Sequence, residues 1–176
     1  MLYVLGVLLV LAVIFFVLKI KAPLEIYSRF GVNAASHKLL STDLGKADGR
    51  IKLARFGING IPDAVFEALS GKLILAGEFK SRKYRGVVKL YELYQLMLYM
   101  GHLQDRYPNH TIVGCLAYAD ERVKVRFDPA LYQALIELRN EYWQTIKRRK
   151  PVNPVPLHKR MKVNAGNLSM RLTSKM

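Results

Sequence analysis

The predicted fold depends on two short segments, Gly60-Ile61-Pro62-Asp63-Ala64-Val65 and Gly77-Glu78-Phe79-Lys80. They lie in strand-like stretches at 61–68 and 72–80, which a Ser70-Gly71 turn joins, so a hairpin is predicted. Because side chains alternate along a strand, Glu78 and Lys80 point to the same side, and Asp63 can come beside Glu78. Two carboxylates and a lysine are therefore expected to converge at a strand end.

This cluster suits one chemical task. Mg²⁺ (or Mn²⁺) prefers oxygen ligands and keeps several waters, so Asp63 and Glu78 are candidate metal ligands. Lys80 would meet an attacking water and a phosphate, while the metal polarises the phosphoryl oxygen. The alternative is structural: Glu78 and Lys80 form a surface pair on an edge strand, and Asp63 caps a turn.

The remaining elements alternate between helix and strand. The order helix, three strands, helix, two strands and helix predicts an α/β fold, with a mixed β-sheet flanked by helices. Asp128-Pro129 is typical of a helix start, with an N-cap followed by proline. The predicted elements are a helix at 24–30, a turn at 37–40, a strand at 51–56 that ends at Gly57 before an Asn59-Gly60 turn, a buried helix at 87–103, strands at 111–118 and 123–127, and a helix from 129 to about 147.

Gln95 and Tyr99 follow on the next helix, four residues apart and so on one face. Together with Pro62-Asp63 and Glu78-Phe79-Lys80, this Q-x-x-x-Y resembles the PD-(D/E)XK nuclease superfamily, in its RecB-like branch, over roughly residues 50–127. The resemblance implies a restriction-endonuclease-like fold and cleavage of DNA.

The resemblance also implies residue roles. Asp63, Glu78 and the backbone carbonyl of Phe79 would ligate the metal, and Lys80 would position the water and stabilise the transition state. Gln95 and Tyr99 would contact the edge of the active site or the nucleic-acid backbone.

RecB-like members often add an upstream histidine or glutamate as a further ligand. His37 is the first candidate here and Glu25 the second. Relatives with an iron–sulfur cluster use four cysteines. Cys115 is the single cysteine of this chain, so that subgroup is excluded.

The charge favours a polyanionic partner, either nucleic acid or anionic lipid, because 28 Lys and Arg stand against 13 Asp and Glu, a net +15. The basic loop after the second segment is either a phosphate-binding groove, with Tyr84 stacking on a base, or a solvated loop. Its candidate nucleic-acid contacts are Arg82, Lys83, Tyr84, Arg85 and Lys89. Residues 148–176 are basic and contain prolines but no acid, so they are predicted to be a disordered tail that binds DNA or anionic lipid.

The segment from Leu2 to Leu18 is apolar and would be about 26 Å long as a helix, so residues 1–20 are predicted to be a transmembrane anchor. A signal peptide is the alternative, but it would need a basic start and a small-residue cleavage site. Basic residues follow the segment and none precedes it, which places the nuclease-like domain, residues 21–147, in the cytoplasm.

The sequence therefore predicts a membrane-anchored, Mg²⁺-dependent deoxyribonuclease. Two alternatives remain open. One is a degenerate nuclease fold that binds nucleic acid at the membrane without cleaving it. The other is a secreted nuclease toxin whose apolar N-terminus serves in export or membrane entry.

Overall fold

A computed structural model describes residues 6, 10, 24–44, 50–163, 166–167 and 170–175. Helix α1 covers residues 24–30. The elements that follow are β1 His37–Thr42, β2 Leu53–Arg55, β3 Ile58–Gly60, β4 Ala64–Ala68, β5 Leu73–Lys80, β6 Val88–Lys89, α2 Leu90–Arg106, β7 Thr111–Tyr118, β8 Arg122–Arg126, α3 Pro129–Glu137, α4 Arg139–Arg148, α5 Leu157–Arg160 and β9 Leu172–Thr173.

A five-stranded mixed sheet with the order β1-β4-β5-β7-β8 forms the centre. Strand β5 is antiparallel to β4 and parallel to β7, and α2 provides the crossover that a parallel pair requires. Alternate residues of β4 serve the two faces: Val65 packs in the cluster with α2 and α3, whereas Ala64 and Phe66 pack against α1. The predicted mixed sheet flanked by helices is confirmed.

Helix α2 lies on the sheet because its apolar residues recur with helical spacing. Leu93, Leu96, Met97 and Met100 are fully buried on that face. Gly101 allows α3 to approach closely, since a Cβ there would lie 2.3 Å from the ring of Tyr132. The helix begins three residues later than predicted, because Val88–Lys89 pairs with β9 as a short strand.

Two local predictions were wrong. Residues 37–40 form part of β1 rather than a turn, and β1 pairs antiparallel with β4. The strand predicted at 51–56 contains β2, but β2 pairs with β3 in a hairpin, so the predicted Asn59-Gly60 turn was wrong. The chain reverses at Phe56 and Gly57, which both have positive φ (53° and 71°), so the Asn59-Gly60 pair lies within β3 instead of forming the turn.

The described parts of the segment 148–176 contact the domain at several points, and its disorder stays a prediction. Met161 is buried in the main core, and Leu172 packs against that core. The Asn167 side chain exchanges two hydrogen bonds with the backbone of Arg126, of 2.9 and 2.8 Å. A few widely spaced apolar residues and one buried amide hold this segment against the domain. They are too few to alter its overall basic composition, so composition did not indicate these contacts.

The predicted anchor, residues 1–20, lies outside the described residues except for Gly6 and Val10. Among the residues that the structure describes, no helix has both the length and the apolar character needed to cross a membrane.

Candidate active site

Asp63 and Glu78 come together at one end of the antiparallel pair of β4 and β5. Ala64 is opposite Gly77, so the residues one step further along, Asp63 and Glu78, lie beside each other. The Asp63 carboxylate is fixed because its Oδ2 accepts a 2.7 Å hydrogen bond from the backbone N–H of Phe79. The structure thus brings together the two carboxylates that the strand pattern placed at one end of the hairpin.

Lys80, Gln95 and Tyr99 extend this pair into a chain of hydrogen bonds. Lys80 Nζ donates to Glu78 Oε1 at 3.0 Å and to Gln95 Oε1 at 3.2 Å. Gln95 Nε2 in turn donates to the Tyr99 hydroxyl at 3.1 Å. Gly60 lets the Tyr99 ring lie against the backbone, since a Cβ at position 60 would be 2.3 Å from it. Sheet and helix therefore position one continuous polar cluster.

Burial controls the protonation of both carboxyls. Desolvation raises the pKa of Glu78, the neighbouring Asp63 charge raises it further, and Lys80 opposes both. Desolvation also raises the pKa of Asp63, against the lowering effects of the Phe79 N–H and Lys80. Glu78 is only 6% exposed, and its Oε2 has no hydrogen-bond partner among the described residues. A buried carboxylate oxygen without a partner is costly unless a cation compensates it.

The donor set fits a hard cation. Asp63 and Glu78 offer carboxylate oxygens, the ligand type that Mg²⁺ prefers. No group of three or more His, Cys, Asp or Glu side chains suited to a metal occurs in the described part of the chain. Two carboxylates are nevertheless enough, because Mg²⁺ is commonly held by one or two of them together with water and substrate phosphate.

The upstream ligand candidates do not join this cluster. His37 is opposite Ala68, whereas Asp63 precedes Ala64 at the other end of β4, about 16 Å away along the strand. The Nδ1 atom of His37 lies 3.0 Å from Ser36 Oγ. Glu25 forms an ion pair of 2.7 Å with Arg29 instead.

Two residues near Asp63 were missed by sequence reasoning. Asp43 follows β1, its N–H donates to the Asp63 carbonyl at 3.0 Å, and its charge raises the pKa of Asp63. Arg29 lowers that pKa, and its guanidinium lies 4.3 Å from the centre of the Phe79 ring. A strand prediction at 37–42 would have indicated Asp43, because antiparallel pairing with β4 brings the end of β1 to Asp63.

The basic loop after β5 has two kinds of residue. Arg82 is engaged internally, with Nη2 2.8 Å from Glu92 Oε2 and its guanidinium over the Tyr118 ring. The half-buried Tyr84 ring also packs on Tyr118, with centroids 5.0 Å apart. The exposed side chains are Lys83 and Arg85, while Lys89 is half-buried with Nζ 5.6 Å from the Tyr91 ring.

A pH dependence of stability follows from the carboxyls. Both pKa values are raised above their ordinary 3.8 and 4.5, so the folded state binds protons more tightly than the unfolded state. The contribution of these two groups to the free energy of unfolding should therefore fall as pH rises from about 4 through the raised values. Added Mg²⁺ should raise the melting temperature above that window and have little effect below it, because protons compete for the same oxygens.

Thermal unfolding across pH, with Mg²⁺ or EDTA, measures this effect. The double variant Asp63→Asn, Glu78→Gln is the control and should flatten both the pH dependence and the response to Mg²⁺. An unchanged pH profile and Mg²⁺ response in that variant would show that other groups are responsible.

Comparisons with known proteins add little to this geometry. The sequence matches no protein-family model and no curated protein. Among solved structures the chain is similar to one titled "Crystal structure of SSO0001", with 15% sequence identity and a TM-score of 0.36. The match covers 76% of this chain and 60% of that one.

Proposed function

We propose that this chain is a metal-dependent nuclease that hydrolyses phosphodiester bonds of DNA, with a restriction-endonuclease-like arrangement of its sheet. The convergence of Asp63, Glu78 and Lys80 carries the proposal, because it leaves a buried Glu78 oxygen without a partner beside a second carboxylate. The resemblance of Pro62-Asp63, Glu78-Phe79-Lys80 and the Gln95/Tyr99 pair to PD-(D/E)XK nucleases supports it.

Asp63 and Glu78 would hold Mg²⁺ or Mn²⁺, and the backbone carbonyl oxygen of Phe79 would be a third metal ligand. In a strand, the N–H and C=O of one residue face the same neighbour, so this carbonyl faces the Asp63 side like its N–H. Two steps past the Ala64 and Gly77 pair, the facing residue is Pro62, which has no N–H to donate. The bound ion would polarise the phosphoryl oxygen.

Lys80 would orient the attacking water and stabilise the negative charge that develops on the phosphate. Its ammonium group is held between Glu78 and Gln95 by hydrogen bonds of 3.0 and 3.2 Å. Tyr99 fixes the Gln95 amide, and burial raises the pKa of Tyr99, so its hydroxyl stays neutral. Gln95 and Tyr99 therefore act chiefly by positioning Lys80.

The excess positive charge supplies general attraction to the DNA backbone. Lys83 and Arg85 are exposed shortly after Lys80 in the chain and are the candidate phosphate contacts. The apolar segment 2–18 would tether the enzyme to a membrane, with its soluble domain on the cytoplasmic side.

Cleavage of a supercoiled plasmid and of a labelled single strand by the full chain tests this proposal. We expect cutting with Mg²⁺ or Mn²⁺ and none with EDTA. Asp63→Asn and Glu78→Gln should each lower the rate by roughly 10²-fold or more, because each removes a ligand charge from the metal. Glu137→Gln, at an exposed position on α3, is the matched control and should cleave normally.

DNA binding without cleavage under any metal condition would refute the nuclease and favour a nucleic-acid-binding protein. Cleavage that persists in both Asp63→Asn and Glu78→Gln would show that another site is responsible.

A further inference from the structure

A cleft of about 820 Å³ opens beside the site, between the β2–β3 turn, α2, α4 and the proline-containing segment 151–157. We call it the aromatic cleft. Its walls include Asn59, Leu98, Leu138, Tyr142, Trp143 and Pro154. Its volume lies in the range of about 300–1,000 Å³ that is usual for small-ligand sites.

The aromatic side chains of this cleft are unusually exposed. Tyr142 and Trp143 are 58% and 52% exposed, and their rings contact each other edge to face with centroids 5.3 Å apart. Exposed apolar surface that lines a concave region often marks a binding site. Flat aromatic faces are also the surfaces on which nucleobases stack.

The aromatic cleft adjoins a smaller cavity that reaches Gln95 and Tyr99. Ile58, Asn59 and Leu98 line both this cleft and a smaller cavity of about 160 Å³ that Gln95 and Tyr99 also line. Leu98 lies three residues after Gln95 on α2, and thus on the same face of the helix. Lys80 bonds Gln95, which lines the smaller cavity, so a strand with a phosphate at Lys80 would pass Gln95 and Tyr99 on its way to the aromatic cleft.

The charge around the cleft suits a polyanion. Helix α4 ends in Lys147 and Arg148, and Arg149 and Lys150 follow; all four are exposed. In the wall, Arg160 pairs with Glu141 at 2.6 Å, and its Nε is a buried donor with no hydrogen-bond partner among the described residues. Aromatic faces with basic side chains nearby in the chain are typical of proteins that hold single-stranded nucleic acid.

We propose that the aromatic cleft binds an unpaired nucleobase of the strand that is cleaved, by stacking on Trp143 and Tyr142. The substrate class would then be DNA with a single-stranded region next to the scissile phosphate. This inference rests on the proposed nuclease function. A lipid surface would also meet aromatic and basic residues, but it needs no cavity and no neighbouring pocket that reaches Gln95 and Tyr99.

Trp143 is the single tryptophan of the chain, so its fluorescence reports on the aromatic cleft alone. The full chain in detergent micelles is titrated in EDTA with a thymidine oligonucleotide, with an abasic oligonucleotide of equal length, and with a blunt duplex. We expect quenching by the thymidine strand and little by the other two, because only an unpaired base can stack.

Affinity variants make the test independent of the fluorophore. In anisotropy titrations with labelled strands, Trp143→Ala should weaken binding of the thymidine strand by roughly tenfold or more and leave abasic binding unchanged. Leu69→Ala, which trims a 61% exposed side chain between β4 and β5, is the control and should bind like the wild type.

The outcomes separate the two proposals, since these titrations need no cleavage. Equal quenching by the abasic strand, or quenching of Trp143 by brominated lipid in reconstituted vesicles, would overturn the base site. Absent quenching alongside normal Mg²⁺-dependent cleavage would overturn it too and leave the nuclease standing. Base-dependent quenching without cleavage would support the base site and refute the proposed nuclease activity.

Discussion

Lys80→Met should lower the rate of Mg²⁺-dependent DNA cleavage by roughly 10²–10³-fold, the usual cost of losing one group that stabilises a transition state. Methionine keeps most of the apolar length of lysine and removes the ammonium group that contacts Glu78 and Gln95. Single-turnover cleavage and binding of the same DNA in EDTA measure the effect. Affinity for DNA should change little, because Lys80 is one positive charge among 28 Lys and Arg.

The same variant should shift the pH at which Mg²⁺ binds. Lys80 lowers the pKa of Glu78, so its loss lets burial and Asp63 raise that pKa further. Mg²⁺ binding by Lys80→Met should therefore need a higher pH than in the wild type, and raising the pH should restore binding without restoring cleavage.

Lys124→Met, at an exposed position on β8, is the matched control and should cleave at the wild-type rate. Cleavage by Lys80→Met within threefold of the wild type would exclude Lys80 from the chemistry. Equal loss in both variants would point to general electrostatic attraction instead.

The meeting of Asp63, Glu78 and Lys80 could be predicted because it depends on local rules. Strand alternation puts Glu78 and Lys80 on one side, and the hairpin puts Asp63 beside Glu78. Gln95 and Tyr99 meet because helical periodicity places residues four apart on one face. These short-range relations need no knowledge of how distant segments pair.

The position of His37 could not be predicted, because it depends on the partner and register of β1. Antiparallel pairing with β4 places Asp43, not His37, at the Asp63 end. The same strand in the opposite direction would have placed them the other way round. The packing of Met161 and Asn167 on the domain likewise depends on long-range contacts, such as that of Asn167 with Arg126, which composition does not encode.

The position of the Arg82 side chain could not be predicted from charge either. The lysine- and arginine-rich loop after β5 predicted phosphate contacts, yet the Arg82 guanidinium is directed towards Glu92. Glu92 lies within the helix predicted at 87–103, and the sequence alone does not indicate a partner for its carboxylate. Its role becomes visible where the helix start, the loop and the end of β7 meet.

Glu92→Leu should destabilise the protein by about 2–4 kcal/mol, because it removes the acceptor of the Tyr118 hydroxyl and of the Lys89 N–H as well as the ion-pair partner of the partly exposed Arg82. Glu92 is 1% exposed, and its carboxylate binds Arg82 at 2.8 Å and the Tyr118 hydroxyl at 2.8 Å. It also accepts from the Lys89 N–H at 3.2 Å at the start of α2. Burial and the bond to Glu92 raise the pKa of Tyr118, so its hydroxyl stays protonated and loses its acceptor in the variant.

Urea unfolding followed by circular dichroism measures this loss, which is a large part of the 5–15 kcal/mol typical of a domain. Glu92→Gln retains acceptor oxygen for Tyr118 and Lys89, so it should cost less, about 1–2 kcal/mol. Glu137→Leu, at an exposed position, should stay within about 0.5 kcal/mol of the wild type. A loss below about 1 kcal/mol in Glu92→Leu would contradict a structural role for the carboxylate.

The effect should reach the candidate active site, because the Arg82–Glu92 pair links the loop after β5 to the start of α2. Lys80 lies two residues before Arg82, and Gln95 lies one helical turn after Glu92, so the pair sets the distance that the Lys80–Gln95 bond spans. Adding Arg82→Met to Glu92→Leu removes the unpaired charge and should recover part of the stability. The cleavage rate should recover less, since an apolar contact between positions 82 and 92 restores packing without fixing the distance between Lys80 and Gln95. Full recovery of both would show that Glu92 stabilises the fold without aligning the site.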